Sequence, residues 1–312
     1  MTTLTIMIGI PGSGKSTYTK TKMDRKVKIL SSDAIRKELF LDEENQENNI
    51  LVFNTLHERA RKFLLEGKDV VIDATNTNIE DRTKTLLPYK DLDIKRKAII
   101  VQTPVETCVE RDKRRRRVVG EDVINEYLNN YTPPTKEEGF DEIVVVKNTD
   151  DGFMRFMQTT LLVIIKDEKI MLARKKRGFG AGLYNGVGGK VEFGETVEDA
   201  MIREAYEEAS ITPKNYKKRA IIDFDEFVKD ERTHVNMHIY VASDYEGTPT
   251  ESNEMIPVWF DLNKIPFSRM FPDDSHWLPE ILKGNNVKAF FKYDINLNIL
   301  EKKIEVINDD LI

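Results

Sequence analysis

Five short apolar runs punctuate the first 150 residues, at positions 4–8, 27–30, 70–72, 98–101 and 143–146. Each is too short for a core helix and reads as a buried strand. Charged stretches with helical spacing, at 49–66 and 105–116, lie between them. Strands alternating with helices predict a parallel α/β sheet. Positions 147–152 are polar and turn-rich, so the pattern predicts a boundary there, with domains at 1–150 and 151–312. Beyond it the pattern changes. Positions 159–165 and 169–173 predict a hairpin around Lys166-Asp167-Glu168. Val197–Ala209 predicts a helix and 234–242 another strand, followed by several Pro-interrupted turns. The second half reads as mixed α+β.

The length of 312 residues also suggests two domains. With 40% hydrophobic and 33% charged residues the chain can bury real cores, which excludes wholesale disorder. No apolar run approaches the ~20 residues of a membrane span, and the first residues lack the basic and apolar regions of a signal peptide. Cys108 is the single cysteine. An intramolecular disulfide is thereby excluded, and a reducing cytoplasm is the expected location. Residues 1–150 carry 26 basic and 26 acidic side chains, so the net charge of −6 belongs to the second half.

Gly9-Ile10-Pro11-Gly12-Ser13-Gly14-Lys15-Ser16 matches G-x-x-x-x-G-K-[ST] at every fixed position and stands between a predicted strand and a helical stretch. Gly12, Ser13 and Gly14 would present backbone N–H groups to phosphate oxygens at a helix N-terminus, with Thr17 one residue past the motif. Lys15 would neutralise β/γ charge, and Ser16 would offer its hydroxyl to Mg²⁺. Ser31-Ser32-Asp33-Ala34-Ile35-Arg36 follows the second strand. Asp33 there can accept a hydroxyl proton, with Arg36 three residues on along the same helix face. The bland alternative is a helix N-cap and a surface cation. Asp73 ends an apolar strand, as a Mg²⁺-side carboxylate would. Lys113-Arg114-Arg115-Arg116-Arg117 is either a lid over the phosphates or a solvated helical face.

These features, together with Asp73-Ala74-Thr75-Asn76 and Pro133-Pro134-Thr135-Lys136-Glu137-Glu138-Gly139-Phe140, resemble the 5′-hydroxyl polynucleotide kinases over residues 3–146. The resemblance implies ATP as phosphate donor and a 5′-hydroxyl DNA or RNA end as acceptor. It implies Asp33 as general base, Arg36 on the acceptor's phosphate, and Arg114 or Arg115 on the transferring phosphoryl group. Related P-loop kinases with much of the same pattern act on small molecules. No acid-rich 3′-phosphatase motif accompanies it.

The second half carries another constellation. Gly189 and Glu195, then Arg203-Glu204-Ala205-Tyr206-Glu207-Glu208-Ala209-Ser210-Ile211, fit G-x5-E-x7-R-E-U-x-E-E-x-G-U, with Ser210 at the final glycine. Glu204, Glu207 and Glu208 share one helical face, where like charges repel unless a divalent cation joins them. The bland alternative is a solvated acidic helix with Arg203 paired to Glu207. Together with Lys175–Gly182, Tyr184–Lys190, Gly247-Thr248-Pro249, Glu251–Met255 and Phe271–Ser275, the box resembles the oxidised-purine nucleoside triphosphatases of the Nudix hydrolases over residues 157–306. That resemblance implies Mg²⁺, with Mn²⁺ as a substitute, held by Glu204, Glu207, Glu208 and Gly189, with Glu254 either binding a second Mg²⁺ or orienting water. Glu207 and Glu208 would be essential to turnover. Asn185, Asp273 and Asp274 would hydrogen-bond a purine, and Phe179 and Phe271 would pack on it. Phe271 and Tyr184 stand where the family has tryptophan.

The expected fold is thus an α/β P-loop kinase domain followed by an α+β Nudix domain. The favoured reading is a bifunctional enzyme that phosphorylates 5′-hydroxyl ends and hydrolyses purine nucleoside triphosphates to monophosphate and pyrophosphate. A second reading gives the kinase a nucleoside, nucleotide or other small hydroxyl compound. A third makes the first half an ATP-gated binding module. Neither a membrane nor an obligate protein partner is implied.

Overall fold

The computed structural model describes residues 1–40, 48–115, 118–228, 231–309 and 312. It divides into two units, Met1–Arg155 and Phe156–Ile312. The first contains β1 (Thr3–Ile8), α1 (Lys15–Lys22), β2 (Lys28–Ser31), α2 (Ser32–Phe40), α3 (Asn49–Leu65), β3 (Val70–Asp73), α4 (Ile79–Leu86), β4 (Lys95–Gln102), α5 (Val105–Lys113), α6 (Glu121–Asn129) and β5 (Glu142–Thr149). The five strands pair in parallel in the order β5-β4-β1-β3-β2. Central β1 has Ile6 opposite Ile72 on one side and Ala98 on the other. Leu4, Ile6, Met7 and Ile8 of this strand are wholly buried, as expected for a parallel strand covered on both faces. The carboxyl ends of β1, β2 and β3 bring the glycine-rich loop, Asp33 and Asp73 to one edge of the sheet, the usual binding edge of such folds.

Two expectations shift here. Helix α5 stops at Lys113 rather than running to 116, and Arg116 and Arg117 lie outside the described residues. The polar positions 147–149 are not linker but the end of β5. Asn148 is buried there, and its Nδ2 donates to the Ser13 carbonyl at 3.0 Å. Its polarity serves the glycine-rich loop rather than solvent.

The second unit is built from β6 (Gly152–Lys166), β7 (Lys169–Lys175), β8 (Tyr184–Asn185), α7 (Val197–Ala209), β9 (Ile211–Val228), β10 (Glu231–Gly247), β11 (Met255–Asp261), α8 (Asp274–Leu282), β12 (Asn286–Tyr293) and β13 (Ile299–Ile307). Strands follow the path β13-β12-β9-β10-β6, and β7 pairs with β6, β8 and β11. The β6–β7 hairpin turns through Asp167 and Glu168, both at positive φ (51° and 57°), as a two-residue turn matching strand twist requires. The region after residue 242 is more regular than the turns expected. Pro257 is accommodated in β11, which pairs only with β7 among the described strands, and Pro279 lies inside α8. The core of this unit packs Ile222 and Phe224 of β9 against Val235, Trp277, Leu278 and Phe291.

Candidate functional site

In the first unit the glycine-rich loop leaves β1 and enters α1 at Lys15. Gly12 (φ 85°) and Gly14 (φ 95°) hold left-handed conformations. A Cβ on Gly12 would come within 2.4 Å of the Cys108 carbonyl oxygen, and one on Gly14 within 2.5 Å of the Asn148 amide. Glycine is therefore required twice, by conformation and by space. The Lys15 ammonium is buried and donates to the carbonyls of Gly9 (2.7 Å) and Ile10 (3.0 Å). Desolvation pushes its pKa down to about 8, against the opposing pull of Asp73. Burial raises the Asp73 carboxyl, opposed by a hydrogen bond from Ser16 and the charge of Lys15.

A cavity of about 970 Å³ brings together Lys15, Ser16, Asp33, Arg36, Asp73 and Arg115. Gly14 also lines it, whereas Gly12, Ser13 and Thr17 do not. Ser13 is fully buried with no partner for its hydroxyl among the described residues, and Thr17 is exposed. Of the two lid arginines expected at the phosphoryl group, Arg115 lines the cavity. Arg114 is exposed and lies 3.7 Å from Glu110, one helical turn back. Arg36 is almost wholly buried. It donates from Nη1 to Asp33 (2.8 Å) and from Nη2 to Asn49 (2.9 Å), while its Nε has no partner among the described residues.

Asn49, Phe53 and His57, all lining this cavity, were not foreseen. Their i, i+4, i+8 spacing places them on one face of α3, and that was the available signal. The motif around Pro133–Phe140 is structural. The fully buried Arg82 donates to both carboxylate oxygens of Glu138 (2.7 and 2.9 Å) and to the Thr132 carbonyl (2.8 Å).

In the second unit Thr196 caps α7 by accepting the Asp199 N–H, and the helix ends at Ser210 in the left-handed region (φ 56°, ψ 36°). That conformation explains why glycine is usual at this position. Arg203 is the hub of the carboxylates. It donates from Nε and Nη2 to the two oxygens of Glu195 (2.8 and 3.0 Å), and from Nη1 to Glu204 (2.7 Å) and Glu207 (3.2 Å). The half-buried Glu204 packs so closely on Gly189 that a Cβ there would lie 2.5 Å from its carboxyl. Glu208 is buried and accepts the Gly188 N–H at 2.8 Å. Desolvation pushes it up to about 7. Burial also raises Glu204.

The three glutamates line one cavity from one helix, but their carboxyl groups are turned to different partners. Among the described residues no trio of His, Cys, Asp or Glu side chains is gathered to hold a metal ion. Arg203 draws Glu204 and Glu207 to itself, while Glu208 turns to the Gly188 backbone. The Gly189 carbonyl accepts the Thr160 N–H (2.8 Å), which occupies one of its lone pairs. Glu254 pairs with Arg177.

A cavity of about 1460 Å³ contains Glu204, Glu207, Glu208 and Glu254 together with Phe179, Asn185, Phe271, Asp273 and Asp274. The Phe179 and Phe271 rings stack at 5.6 Å, and Gly180 is needed because a Cβ there would meet the Phe271 ring at 2.3 Å. Asp273 and Asp274 are both buried. Asp273 accepts from the Trp277 indole (2.9 Å) and the Tyr293 hydroxyl (2.5 Å), and Asp274 accepts the Phe271 N–H (2.9 Å). Desolvation raises both carboxyls, and the neighbouring Asp273 pushes Asp274 further, well above the usual carboxylate range, while the Tyr293 and Trp277 donors oppose the rise of Asp273. Tyr184 stacks edge-on against Phe260 and carries Arg269 over its ring. It is a core residue rather than part of the cavity lining.

A phosphate-binding loop on a parallel sheet and a glutamate helix beside a buried aspartate pair define a P-loop domain joined to a Nudix domain. Comparison with known proteins agrees: the AAA domain family matches residues 4–134 and the NUDIX domain family residues 156–281. The chain belongs to the Nudix family through its second half. That half is 43% identical over 150 residues to the oxidized purine nucleoside triphosphate hydrolase of Danio rerio, covering 48% of this chain and 95% of the relative. It is 41% identical over 149 residues to the protein of the same name from Mus musculus, covering 48% and 94%. The 8-oxo-dGTP diphosphatase of Escherichia coli is 29% identical over 102 residues, covering 32% and 76%. Among the described residues no helix is long and apolar enough to cross a membrane.

Proposed function

We propose that the second unit hydrolyses oxidised purine nucleoside triphosphates to monophosphate and pyrophosphate, and that the first transfers the γ-phosphoryl of ATP to a 5′-hydroxyl nucleic acid end. The observation that carries the first part is one cavity holding both the Glu204–Glu208 carboxylates and the buried Asp273–Asp274 pair. Phosphates and base of one nucleotide need such a combination.

Glu204 against Gly189 and Glu208 at the Gly188 N–H are hard oxygen donors, and Mg²⁺ binds through one or two carboxylates while keeping several waters. The set fits that ion, or Mn²⁺, with Glu207 and Glu254 as further ligands. Once bound, such a cation polarises the phosphates and lowers the pKa of the attacking water. The chain's own residues do the rest. Arg203 holds Glu195, Glu204 and Glu207 in position. The Phe179–Phe271 pair would pack on the base. Asn185, Asp273 and Asp274 offer donors and acceptors to its edge. A buried polar site rejects a base that leaves its groups unpaired far more strongly than an apolar pocket does. Steady-state kinetics should therefore give 8-oxo-dGTP a higher kcat/KM than dGTP, dCTP or dTTP, and equal values would refute this reading.

For the first unit, support comes from Lys15, Asp33, Arg36, Asp73 and Arg115 lining one cleft. Lys15 and Arg115 would neutralise the transferring phosphoryl group, Asp33 would accept the hydroxyl proton, and Arg36 would hold the acceptor's phosphate. Radiolabelled γ-phosphate transfer tested on 5′-hydroxyl DNA, 5′-hydroxyl RNA and a nucleoside panel decides the acceptor. Transfer only to nucleosides would reassign it, and ATP binding without transfer would leave a binding module. Asp33→Asn should cut kcat by roughly 10²–10⁴-fold with ATP affinity retained.

A further inference from the structure

Strand β9 alternates, and on its inward face Ile222 and Phe224 enter the core. Glu226 is the next residue on that face. Its ladder partner across β10, Thr233, is fully buried. Glu226 lines the cavity, as do Phe224, Val235, Met237 and Leu297. An apolar side chain is what this position calls for, because a carboxyl in such surroundings costs desolvation unless a partner meets it. None does among the described residues. Burial and the nearby Asp273 both push Glu226 up, to about 7, with no hydrogen bond opposing them. Asp273 differs, since the Trp277 and Tyr293 donors occupy both of its oxygens.

We infer that Glu226 is a third base-reading carboxyl, accepting an N–H that an oxidised purine presents and its unoxidised parent lacks. The inference rests on the oxidised-purine reading of this cavity. Asn185, Asp273 and Asp274 already supply donors and acceptors for one edge of a purine, so a further carboxyl in the same cavity adds an acceptor for a second edge. Guanine offers only a lone pair at N7. Oxidation at C8 turns that position into an N–H, which a carboxylate oxygen accepts and which removes the lone-pair repulsion. Glu226 would thus discriminate by pairing with one nucleotide and opposing the other.

The test measures kcat/KM for 8-oxo-dGTP and dGTP with the full chain, its Glu226→Leu variant and its Glu226→Gln variant, in buffer above the shifted pKa of this residue. The leucine variant should lower the 8-oxo-dGTP to dGTP ratio by about ten- to a hundredfold, the worth of one hydrogen bond to a charged group. The near-isosteric glutamine variant should also lower the ratio, because its amide can donate to the guanine lone pair. It decides the matter if the leucine variant fails to fold by circular dichroism. A ratio within about twofold of wild type in the folded variants overturns the role of Glu226 while leaving the substrate class standing. No preference for 8-oxo-dGTP in the wild type overturns the substrate reading itself, and this inference with it.

Discussion

Lys15 in the first unit and Glu208 in the second are both buried ionisable groups set against glycine-rich backbone, and burial moves them in opposite directions. Lys15 falls to about 8 and Glu208 rises to about 7. One cause, loss of hydration of the charged form, weakens a cation and an anion alike. What differs is the complement each site lacks. The P-loop cleft gathers Lys15, Arg36 and Arg115 and suits phosphate, whereas the Nudix cavity gathers carboxylates and suits a divalent cation. Lys15 and Glu208 are each poorly solvated, and the same burial would strengthen their attraction to a ligand of opposite sign.

The sharpest way to break this comparison is to remove one charge from each side. Lys15→Ala should abolish phosphoryl transfer and spare pyrophosphohydrolysis, while Glu208→Gln should depress hydrolysis by at least about 10²–10³-fold and spare transfer. Parallel assays of both activities on both variants check this, and loss of both from either change would show that the sites are not independent. Smaller, but still large, is the effect of Arg82→Ala. Leaving Glu138 buried and unpaired should destabilise the first unit by roughly 3–5 kcal/mol, read as a lower urea midpoint in far-UV circular dichroism.

The units should also answer to pH with opposite sign. Glu226, raised from 4.5 to about 7, holds a proton in the fold that the unfolded chain releases. Its contribution is complete below about 4.5 and disappears as pH rises through 7, a loss on the order of 3 kcal/mol; Asp273 and Asp274 act in the same direction. Lys15, lowered from 10.5 to about 8, behaves inversely, so the first unit gains stability between those values as pH rises. Both tryptophans, Trp259 and Trp277, lie in the second unit. Urea titrations of ligand-free protein followed by tryptophan fluorescence therefore report that unit alone, and a flat or rising midpoint from pH 5 to pH 8 would contradict the assignment. The smallest effect belongs to Ser210→Gly. Relief of the left-handed backbone should stabilise the second unit by about 1 kcal/mol, a rise of roughly 2–4 °C in Tm by the same fluorescence.

Legibility differed between the units for a physical reason. All five strands of the first sheet, and the loop that leaves its central strand, could be read from the chain because parallel strands buried on both faces are continuous apolar runs. Strand β9 was missed. Its inward residues Ala220, Ile222 and Phe224 are separated by Ile221 and Asp223, which breaks a clean apolar–polar alternation, and Lys217-Lys218-Arg219 obscures the start of the pattern. Helix Val197–Ala209 was legible to its ends, since a threonine cap and a left-handed stop are local signals. Its metal geometry was not, because Arg203 rather than helical spacing directs Glu204 and Glu207.

What the chain determined by itself is whatever depends on neighbours within a turn or two: the glycines that bend the phosphate loop, the lysine that follows them, and the glutamates three and four residues apart on α7. Only the tertiary structure decided which distant groups meet them. Asn148 ties a loop carbonyl 135 positions earlier, and Arg82 finds Glu138 across 56. Tyr184 turns into the core while Arg115, rather than Arg114, lines the cleft. In the chain Glu226 follows Asp223 and Asp225, and nothing local singles it out. Its position on the inward face of β9, near Asp273, makes it a desolvated carboxyl on the cavity wall, because burial is a property of the packed strands and not of the residue.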